Sequence, residues 1–343
     1  MKNNTKVSND LLLSIIIPVY NTELYLKDCL DSCLWQDLLK EKYEIICIND
    51  GSTDSSAQIL DSYQINYPNI RVINQENSGV SSARNNGLRV SKGKYVWFID
   101  SDDYIRKNSL KTIINFLEKH TLDAITVKYF KVNSQMHREK KYHNRPIKVI
   151  KKDTVYYVWR WIVKSEILHK NEISFNIDMS YAEDALWVYY LERHLKYFYY
   201  TNFQAYYCRI RNNSLLNTYN EEANNKKINS MIAMAKAYQS ELNHIDCQDA
   251  SLLENTRIRK DMSAQAALIQ AALHKNRIQQ KSILDDLVGM GLYPYKLIWY
   301  NLRPKKCLKQ TLIGFSIFLF PIRSYYLFFC SFVSFIKKRR VVD

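Results

Sequence analysis

Residues 12–132 alternate apolar, β-branched runs with stretches of helical spacing, and this alternation limits the possible folds more than any other feature. The run at 12–19 (LLSIIIPV) is apolar almost throughout, as expected of a strand buried on both faces of a parallel sheet. Strands separated by helices predict βαβ units and a mostly parallel sheet. The predicted strands are 12–19, 43–48, 70–73, 95–99 and 124–132, and the predicted helices are 22–34, 55–63 and 81–90.

The later part of the chain predicts a different organisation. Amphipathic spacing with few glycine or proline residues from about 221 to 287 predicts a small helical bundle. Between the two regions we expect a basic loop at 133–153, a partly helical segment at 155–168, a helix at 183–195 and one or two strands at 196–207.

Polar clusters follow three of the predicted strands. They are Tyr20-Asn21, Asn49-Asp50 and the DSDD run from Asp100 to Asp103. In open α/β sheets, ligands bind beyond the carboxyl ends of the strands. The sequence therefore predicts a ligand site at this edge of the sheet.

Asp100 and Asp102 are candidate metal ligands. Two carboxylates at i and i+2 after a buried strand can hold a hard cation such as Mg²⁺ or Mn²⁺, with phosphate oxygens completing the shell. Such a cation neutralises charge on a departing diphosphate. Aspartates are also common in turns, so this pair alone leaves a structural role open.

Four further residues suit the same chemistry, each with a structural alternative. The Asp50 carboxylate suits a nucleobase or ribose, or caps a turn. Arg84, in a helix after a glycine loop, suits a diphosphate or lies exposed. Glu183 and Asp184 begin a helix, where a carboxylate either takes a proton from a hydroxyl or caps the helix.

Arg209 and Arg211 follow the predicted strand at 196–207, where they either bind phosphate or lie exposed.

The chain has 26 tyrosines, which suit a core, a platform for carbohydrate or a membrane interface. Its seven cysteines are odd in number and irregularly spaced, so we expect reduced thiols and a cytoplasmic setting. The apolar stretch at 11–19 has no cleavage site typical of a signal peptide.

The net charge predicts an anionic partner, because the chain contains 49 Lys and Arg residues but only 34 Asp and Glu residues, a net charge of +15. Residues 293–342 contain ten basic residues and no acidic ones, around apolar stretches at 312–320 and 324–336. Each stretch is shorter than the roughly 20 residues that span a bilayer. We expect 293–343 to lie on an anionic membrane surface, with a buried or dimer helix as the alternative. Nucleic acid is disfavoured because the charge lies among large apolar side chains.

Taken together, the motifs resemble those of the family 2 glycosyltransferases with the GT-A fold, of the type that builds bacterial surface polysaccharides. The motifs are SIIIPVYN at 14–21, NDGSTDSS at 49–56, NSGVSSARNNGL at 77–88, YVWFIDSDD at 95–103 and AEDALW at 182–187. The resemblance implies a Rossmann-like mixed, mostly parallel sheet flanked by helices over 1–215. A helical extension at 216–292 and the tail at 293–343 follow it.

The resemblance also implies an activity and a site. The activity is inverting, metal-dependent transfer of a sugar, from a UDP-sugar as the family's commonest donor, to a glycan or lipid-linked acceptor at the inner face of the plasma membrane. Asp184 is the implied general base, supported by Glu183, and Asp102 and Asp100 hold Mn²⁺ or Mg²⁺. The implied nucleotide-sugar contacts are Pro18, Tyr20, Asn21, Asp50, Arg84, Asp100, Ser101, Arg209 and Arg211. Asn49 stands where the family usually has an acid.

Three alternatives follow from the same residues. Processive polymerases of this superfamily carry Gln-x-x-Arg-Trp, but here Tyr157 stands in the glutamine position before Arg160-Trp161. A sugar nucleotidyltransferase would leave the Glu183-Asp184 element unexplained. A degenerate nucleotide-sugar-binding protein is disfavoured because Asp50, Asp102 and Asp184 are all present.

Overall fold

A computed structural model describes residues 11–132, 147–150, 155–210, 220–246, 248–274 and 277–292. The chain divides into two compact units. The first runs to Ile177 and resumes at Asp184, and the second comprises Asp178–Glu183 and the chain from Leu215 onward.

The first unit contains eight strands and six helices within its described residues. The strands are β1 (Leu13–Val19), β2 (Tyr43–Asp50), β3 (Ile70–Gln75), β4 (Tyr95–Phe98), β5 (Tyr104–Ile105), β6 (Ala124–Val132), β7 (Trp161–Lys164) and β8 (Phe198–Arg209). The helices are α1 (Leu26–Leu34), α2 (Ser56–Asn66), α3 (Gly79–Val90), α4 (Leu110–Lys119), α5 (Ser165–Lys170) and α6 (Glu183–His194, whose first residue falls in the second unit). Short 3₁₀ turns cover Lys40–Lys42 and Val158–Arg160.

The strands form one mixed sheet in the order β3-β2-β1-β4-β7-β6-β8-β5. The first four strands in this order are mutually parallel. β7 runs antiparallel to β4 and β6, β6 and β8 are parallel, and β5 is antiparallel to β8. The mixed α/β architecture expected from the sequence is confirmed.

The strand register places the predicted polar clusters at one edge of the sheet. β1 lies between β2 and β4, with Val19 opposite Asn49 and Ile16 opposite Phe98. All seven residues of β1 and all four of β4 are buried, which explains their continuous apolar character. Because the three strands are parallel and adjacent, their polar ends meet at the same edge.

The segment at 155–168 is helical in part, as predicted, since the 3₁₀ turn Val158–Arg160 and the start of α5 (Ser165–Lys170) fall within it. Strand β7 (Trp161–Lys164) lies between these two pieces and was not predicted. β7 fills the gap between β4 and β6. Its Trp161 ring packs 5.9 Å from the rings of both Phe198 and Tyr200. Aromatic and β-branched residues suit this pleated, buried surface better than a helix.

Two further elements, β5 and α4, were also not predicted. The helix α4 has a clear signal, because Leu110, Ile113, Ile114 and Leu117 are buried at helical spacing. β5 has only two residues, which is too short for an alternation pattern to appear.

The second unit confirms the predicted helical bundle with α7 (Glu221–Leu242), α8 (Ala250–His274) and α9 (Arg277–Gly289). Alanines such as Ala235, Ala264 and Ala271 pack in its apolar core with Leu268 and Leu284. The predicted membrane tail at 293–343 lies outside the described residues. None of the helices that the structure describes is long and apolar enough to cross a membrane.

Gly93 lies where the chain enters β4, hard against the start of β1. An added Cβ would lie 2.4 Å from the Ser14 nitrogen and 2.5 Å from the Leu13 carbonyl carbon. Gly93→Ala is therefore expected to lower the free energy of unfolding by about 1–3 kcal/mol. Urea unfolding followed by circular dichroism would measure this, with the neighbouring exposed Lys92→Ala expected to stay within about 0.5 kcal/mol. Equal stabilities of the two variants would contradict the predicted steric clash.

Candidate active site

Asp50, the last residue of β2, holds the start of α3. Its buried carboxylate accepts hydrogen bonds from the backbone nitrogens of Ser78 (2.8 Å) and Gly79 (2.9 Å) and from the side chain of Gln75 (2.7 Å). The next residue, Gly51, has φ +68°, and an added Cβ would lie 2.8 Å from the Asn77 nitrogen. Asp50 thus fixes the loop before α3, and its predicted nucleotide contact stays a prediction.

The loop after β1 is tied to the loop after β2. Asn21, at φ +50°, accepts a hydrogen bond from the Thr53 nitrogen at 2.8 Å and donates its own N–H to the Ser52 hydroxyl at 3.2 Å. Tyr20 is 49% exposed beside it, whereas Pro18 is buried within β1. The edge therefore presents an aromatic ring on a loop with a fixed backbone.

The DSDD run forms a tight acid turn (Asp100 to Asp103) after β4. The Asp103 nitrogen donates to the Asp100 carbonyl at 3.0 Å. The buried Asp103 carboxylate accepts from the Tyr206 hydroxyl and the Arg209 nitrogen, each at 2.7 Å. Burial, followed by the charges of Asp102 and Asp100, raises the pKa of Asp103 to about 8. Asp103 and Tyr206 were not among the predicted site residues. The signal that could have identified Asp103 is its position in the DSDD run, next to the predicted Asp102.

Arg209 was predicted to lie beyond a strand, where it either binds phosphate or lies exposed; the position and the exposure are wrong, and the phosphate contact stays a prediction. It is the last residue of β8 and is buried. Its Nε donates to the Asp102 carbonyl at 2.9 Å and its Nη2 to Asp28 at 3.0 Å. Its guanidinium lies 5.0 Å from the Tyr25 ring and 5.4 Å from the Tyr104 ring. Arg209 therefore fastens the acid turn to α1, and Arg211 lies outside the described residues.

Arg84 joins the acid turn to the predicted base. Its buried guanidinium donates from Nη2 to Asp100 Oδ1 at 2.9 Å and from Nη1 to Asp184 Oδ1 at 3.0 Å. It also lies 5.2 Å from the Phe175 ring centre. The second Asp184 oxygen accepts from the Val158 nitrogen at 3.1 Å. Three predicted site residues are thus brought together, although the predicted diphosphate contact of Arg84 stays a prediction.

The other predicted residues of this region are Ser101 and Glu183. Ser101 is buried within the acid turn. Glu183 begins α6 but belongs to the second compact unit, while Asp184 belongs to the first. Their roles in donor binding and catalysis stay predictions.

The acid turn supplies two carboxylates of the kind that bind Mg²⁺, and the metal itself stays a prediction. Within the residues that the structure describes, no group of three or more His, Cys, Asp or Glu side chains is placed to hold a metal by itself. Asp102 is half-buried and the Asp100 side chain is 29% exposed, so both carboxylates border solvent. One or two carboxylates completed by phosphate oxygens is the usual arrangement for Mg²⁺. The crowding of negative charge around Asp103 favours a cation there as well.

The chain is similar to known glycosyltransferases. The model of the family described as glycosyl transferase family 2 matches residues 14–179. The chain is 33% identical over 187 residues to the uncharacterized glycosyltransferase EpsJ of Bacillus subtilis, covering 51% of this chain and 54% of EpsJ. It is 36% identical over 180 residues to the poly(ribitol-phosphate) beta-glucosyltransferase of Bacillus spizizenii, covering 50% of this chain and 28% of that protein. The matches thus span about half, or less, of each relative.

A solved glycosyltransferase structure has a similar fold. The crystal structure of Staphylococcus aureus TarS 1–349 in complex with UDP-GlcNAc matches with a TM-score of 0.54 at 21% identity, covering 83% of this chain and 90% of that one. The GT-A architecture expected from the sequence is confirmed.

Because Arg209 is buried, we expect its mutation to lower the stability of the fold and not only to weaken ligand binding. Arg209→Met removes the donors to Asp102 and Asp28 and is expected to lower the free energy of unfolding by about 2–3 kcal/mol. Lys131→Met, at an exposed position of β6, is the control and is expected to change it by less than about 0.5 kcal/mol. Chemical unfolding measures both. Unchanged stability with lost UDP binding would instead assign Arg209 to the diphosphate.

Proposed function

We propose that this chain, whose residues 14–179 belong to glycosyl transferase family 2, transfers a sugar from a UDP-sugar to a hydroxyl of a glycan or lipid-linked acceptor. The observation that carries the proposal is Arg84, which links Asp100 of the acid turn to Asp184. Asp100, on the proposed donor side, and Asp184, the proposed base, therefore contact the same guanidinium group. The choice of UDP is supported by TarS, whose structure was solved with UDP-GlcNAc.

In the proposed reaction Asp184 is the general base. Its carboxylate takes the proton of the acceptor hydroxyl while that oxygen forms a bond to the anomeric carbon. The bond from this carbon to the diphosphate oxygen breaks, and UDP leaves with the electron pair. A single attack from the opposite face inverts the configuration.

The contacts of Asp184 suit this role. Arg84 donates to one carboxylate oxygen and the Val158 nitrogen donates to the other, so the carboxylate plane is held in one orientation. A base held in place before the reaction needs no reorganisation to accept the proton.

Asp102 and Asp100 are the proposed ligands of Mn²⁺ or Mg²⁺. When bound, such a cation stabilises the charge that develops on the leaving diphosphate. Arg209 holds the Asp102 carbonyl and Tyr206 holds Asp103 and the Asp100 nitrogen, so the turn is fixed without the cation.

The proposed setting is the synthesis of a cell-surface polysaccharide, at the inner face of the plasma membrane. The names of the relatives support it, since one glucosylates poly(ribitol-phosphate). We assign contact with the anionic membrane to the basic tail at 293–343, which is also the candidate for a homodimer contact.

The donor site predicts nucleotide binding that depends on the metal. Isothermal titration calorimetry with UDP, GDP and dTDP, each with and without Mn²⁺, is expected to show Mn²⁺-dependent binding of UDP. Asp102→Ala is expected to weaken it about 10- to 100-fold, because one charged ligand is lost. Asp61→Asn, exposed on α2, should leave it unchanged. Folded protein that binds none of the three nucleotides would refute the donor assignment.

The proposed base predicts a loss of turnover without a loss of donor binding. Asp184→Asn keeps an oxygen for the Val158 N–H but cannot accept the acceptor's proton, so kcat is expected to fall about 10²- to 10⁴-fold. The Kd for UDP should stay within about threefold, and Asp61→Asn should match the wild type in both. A kcat within threefold of wild type would assign the base to another residue.

A further inference from the structure

Three aromatic rings stack in a column that runs from the core of the first unit to its surface. This aromatic column consists of Tyr206, Trp159 and Tyr157. The Tyr206 and Trp159 rings lie 4.4 Å apart at 15°, and the Trp159 and Tyr157 rings lie 5.0 Å apart at 13°. Tyr206 and Trp159 are buried, whereas Tyr157 is 45% exposed. The column therefore ends in a ring presented to solvent.

The column is anchored at its inner end and along its length. The Tyr206 hydroxyl donates to Asp103 at 2.7 Å, and the Trp97 indole donates to the Trp159 carbonyl at 2.8 Å. The Tyr129 ring packs edge-on against Trp159 at 4.9 Å and against Tyr157 at 6.4 Å. The exposed ring is thus held by its neighbours, and a ligand that binds it pays little for ordering the side chain.

The exposed end of the column is carried by the residue next to the one whose backbone holds the proposed base. Tyr157 directly precedes Val158, whose nitrogen donates to Asp184 Oδ2 at 3.1 Å. The same short segment therefore orients the base and carries the exposed ring. The inner end of the column contacts the acid turn instead, because Tyr206 bonds to Asp103 and to the Asp100 nitrogen.

We propose that Tyr157 is the stacking platform of the acceptor site and that the acceptor presents a pyranose ring to it. This inference rests on the proposed transferase function and adds the chemical class of the acceptor. The sugar stacks on the exposed Tyr157 ring, and one of its hydroxyls reaches the Asp184 carboxylate.

The chemistry of the ring selects a cyclic sugar. One face of a pyranose carries several C–H groups with partial positive charge, which match the negative face of a tyrosine ring. An open-chain polyol phosphate has no such flat face and is recognised mainly through its charge. The acceptor class therefore differs from the poly(ribitol-phosphate) in the name of the Bacillus spizizenii relative.

The test separates donor use from acceptor use in the full chain. UDP release from UDP-glucose, UDP-galactose and UDP-GlcNAc is measured with water alone, with the octyl pyranosides of glucose, galactose and N-acetylglucosamine, and with ribitol 5-phosphate. Tyr157→Ala is expected to raise the KM for the pyranoside about 3- to 10-fold. Its donor KM in the water arm should stay within about twofold, and Tyr157→Phe should retain the wild-type KM for the pyranoside.

The matched control is Tyr197→Ala. Tyr197 is 68% exposed and precedes β8, at the edge of the sheet opposite the strand ends that form the site. It should not change either KM. Melting temperatures of all variants are compared, and Tyr157→Leu, which keeps apolar volume without a ring face, replaces Tyr157→Ala if the latter does not fold.

Several results would overturn the platform. One is an unchanged KM for the pyranoside in Tyr157→Ala or in its Leu replacement, and another is a donor KM in the water arm that rises as much as the pyranoside KM. The third is a wild-type protein that transfers sugar to ribitol 5-phosphate, and the fourth is one that transfers sugar to none of the pyranosides. Wild-type protein that releases no UDP in any arm would instead refute the transferase function, and the platform with it.

Discussion

The candidate site depends on one buried arginine side chain that lies between two carboxylates. Arg84 is 3% exposed and donates to both Asp100 and Asp184. A guanidinium removed from water is costly unless it is paired and hydrogen-bonded, so its burial requires both acids at these positions. The two acids come from different parts of the chain, one after β4 and one in α6. The guanidinium of Arg84 thus sets the distance between Asp100, on the donor side of the site, and Asp184, the proposed base.

A second set of contacts holds the acid turn from the other side. Arg209 donates to the Asp102 carbonyl, and the Tyr206 hydroxyl donates to Asp103. Burial, together with the charges of Asp102 and Asp100, raises the pKa of Asp103. Backbone and hydroxyl donors fix the turn, while Arg84 offsets part of its charge. These contacts thereby hold the carboxylates of Asp100 and Asp102 in one turn, where a cation and a diphosphate are proposed to bind.

The strands and the location of the site followed from the sequence because their signals are local. Continuous β-branched runs predicted β1 and β2 closely, and polar residues after them predicted the functional edge. The sequence predicted the helical parts of 155–168 but not β7 between them, which pairs with β4 on one side and with β6 on the other. The environment of Arg209 was likewise out of reach, since its contacts with Asp28 and Asp102 join residues distant in the chain.

By itself the sequence determined the alternation of strands and helices, the polar strand ends and the family resemblance, because each depends on residues adjacent or regularly spaced in the chain. Tertiary structure alone decided which charges meet. It placed Arg84 between two carboxylates and turned Arg209 inward. It also stacked Tyr157 on a column that reaches the acid turn. The physical reason is that ion pairing and ring stacking act over a few ångströms in space, and only the packed sheet and helices set those distances.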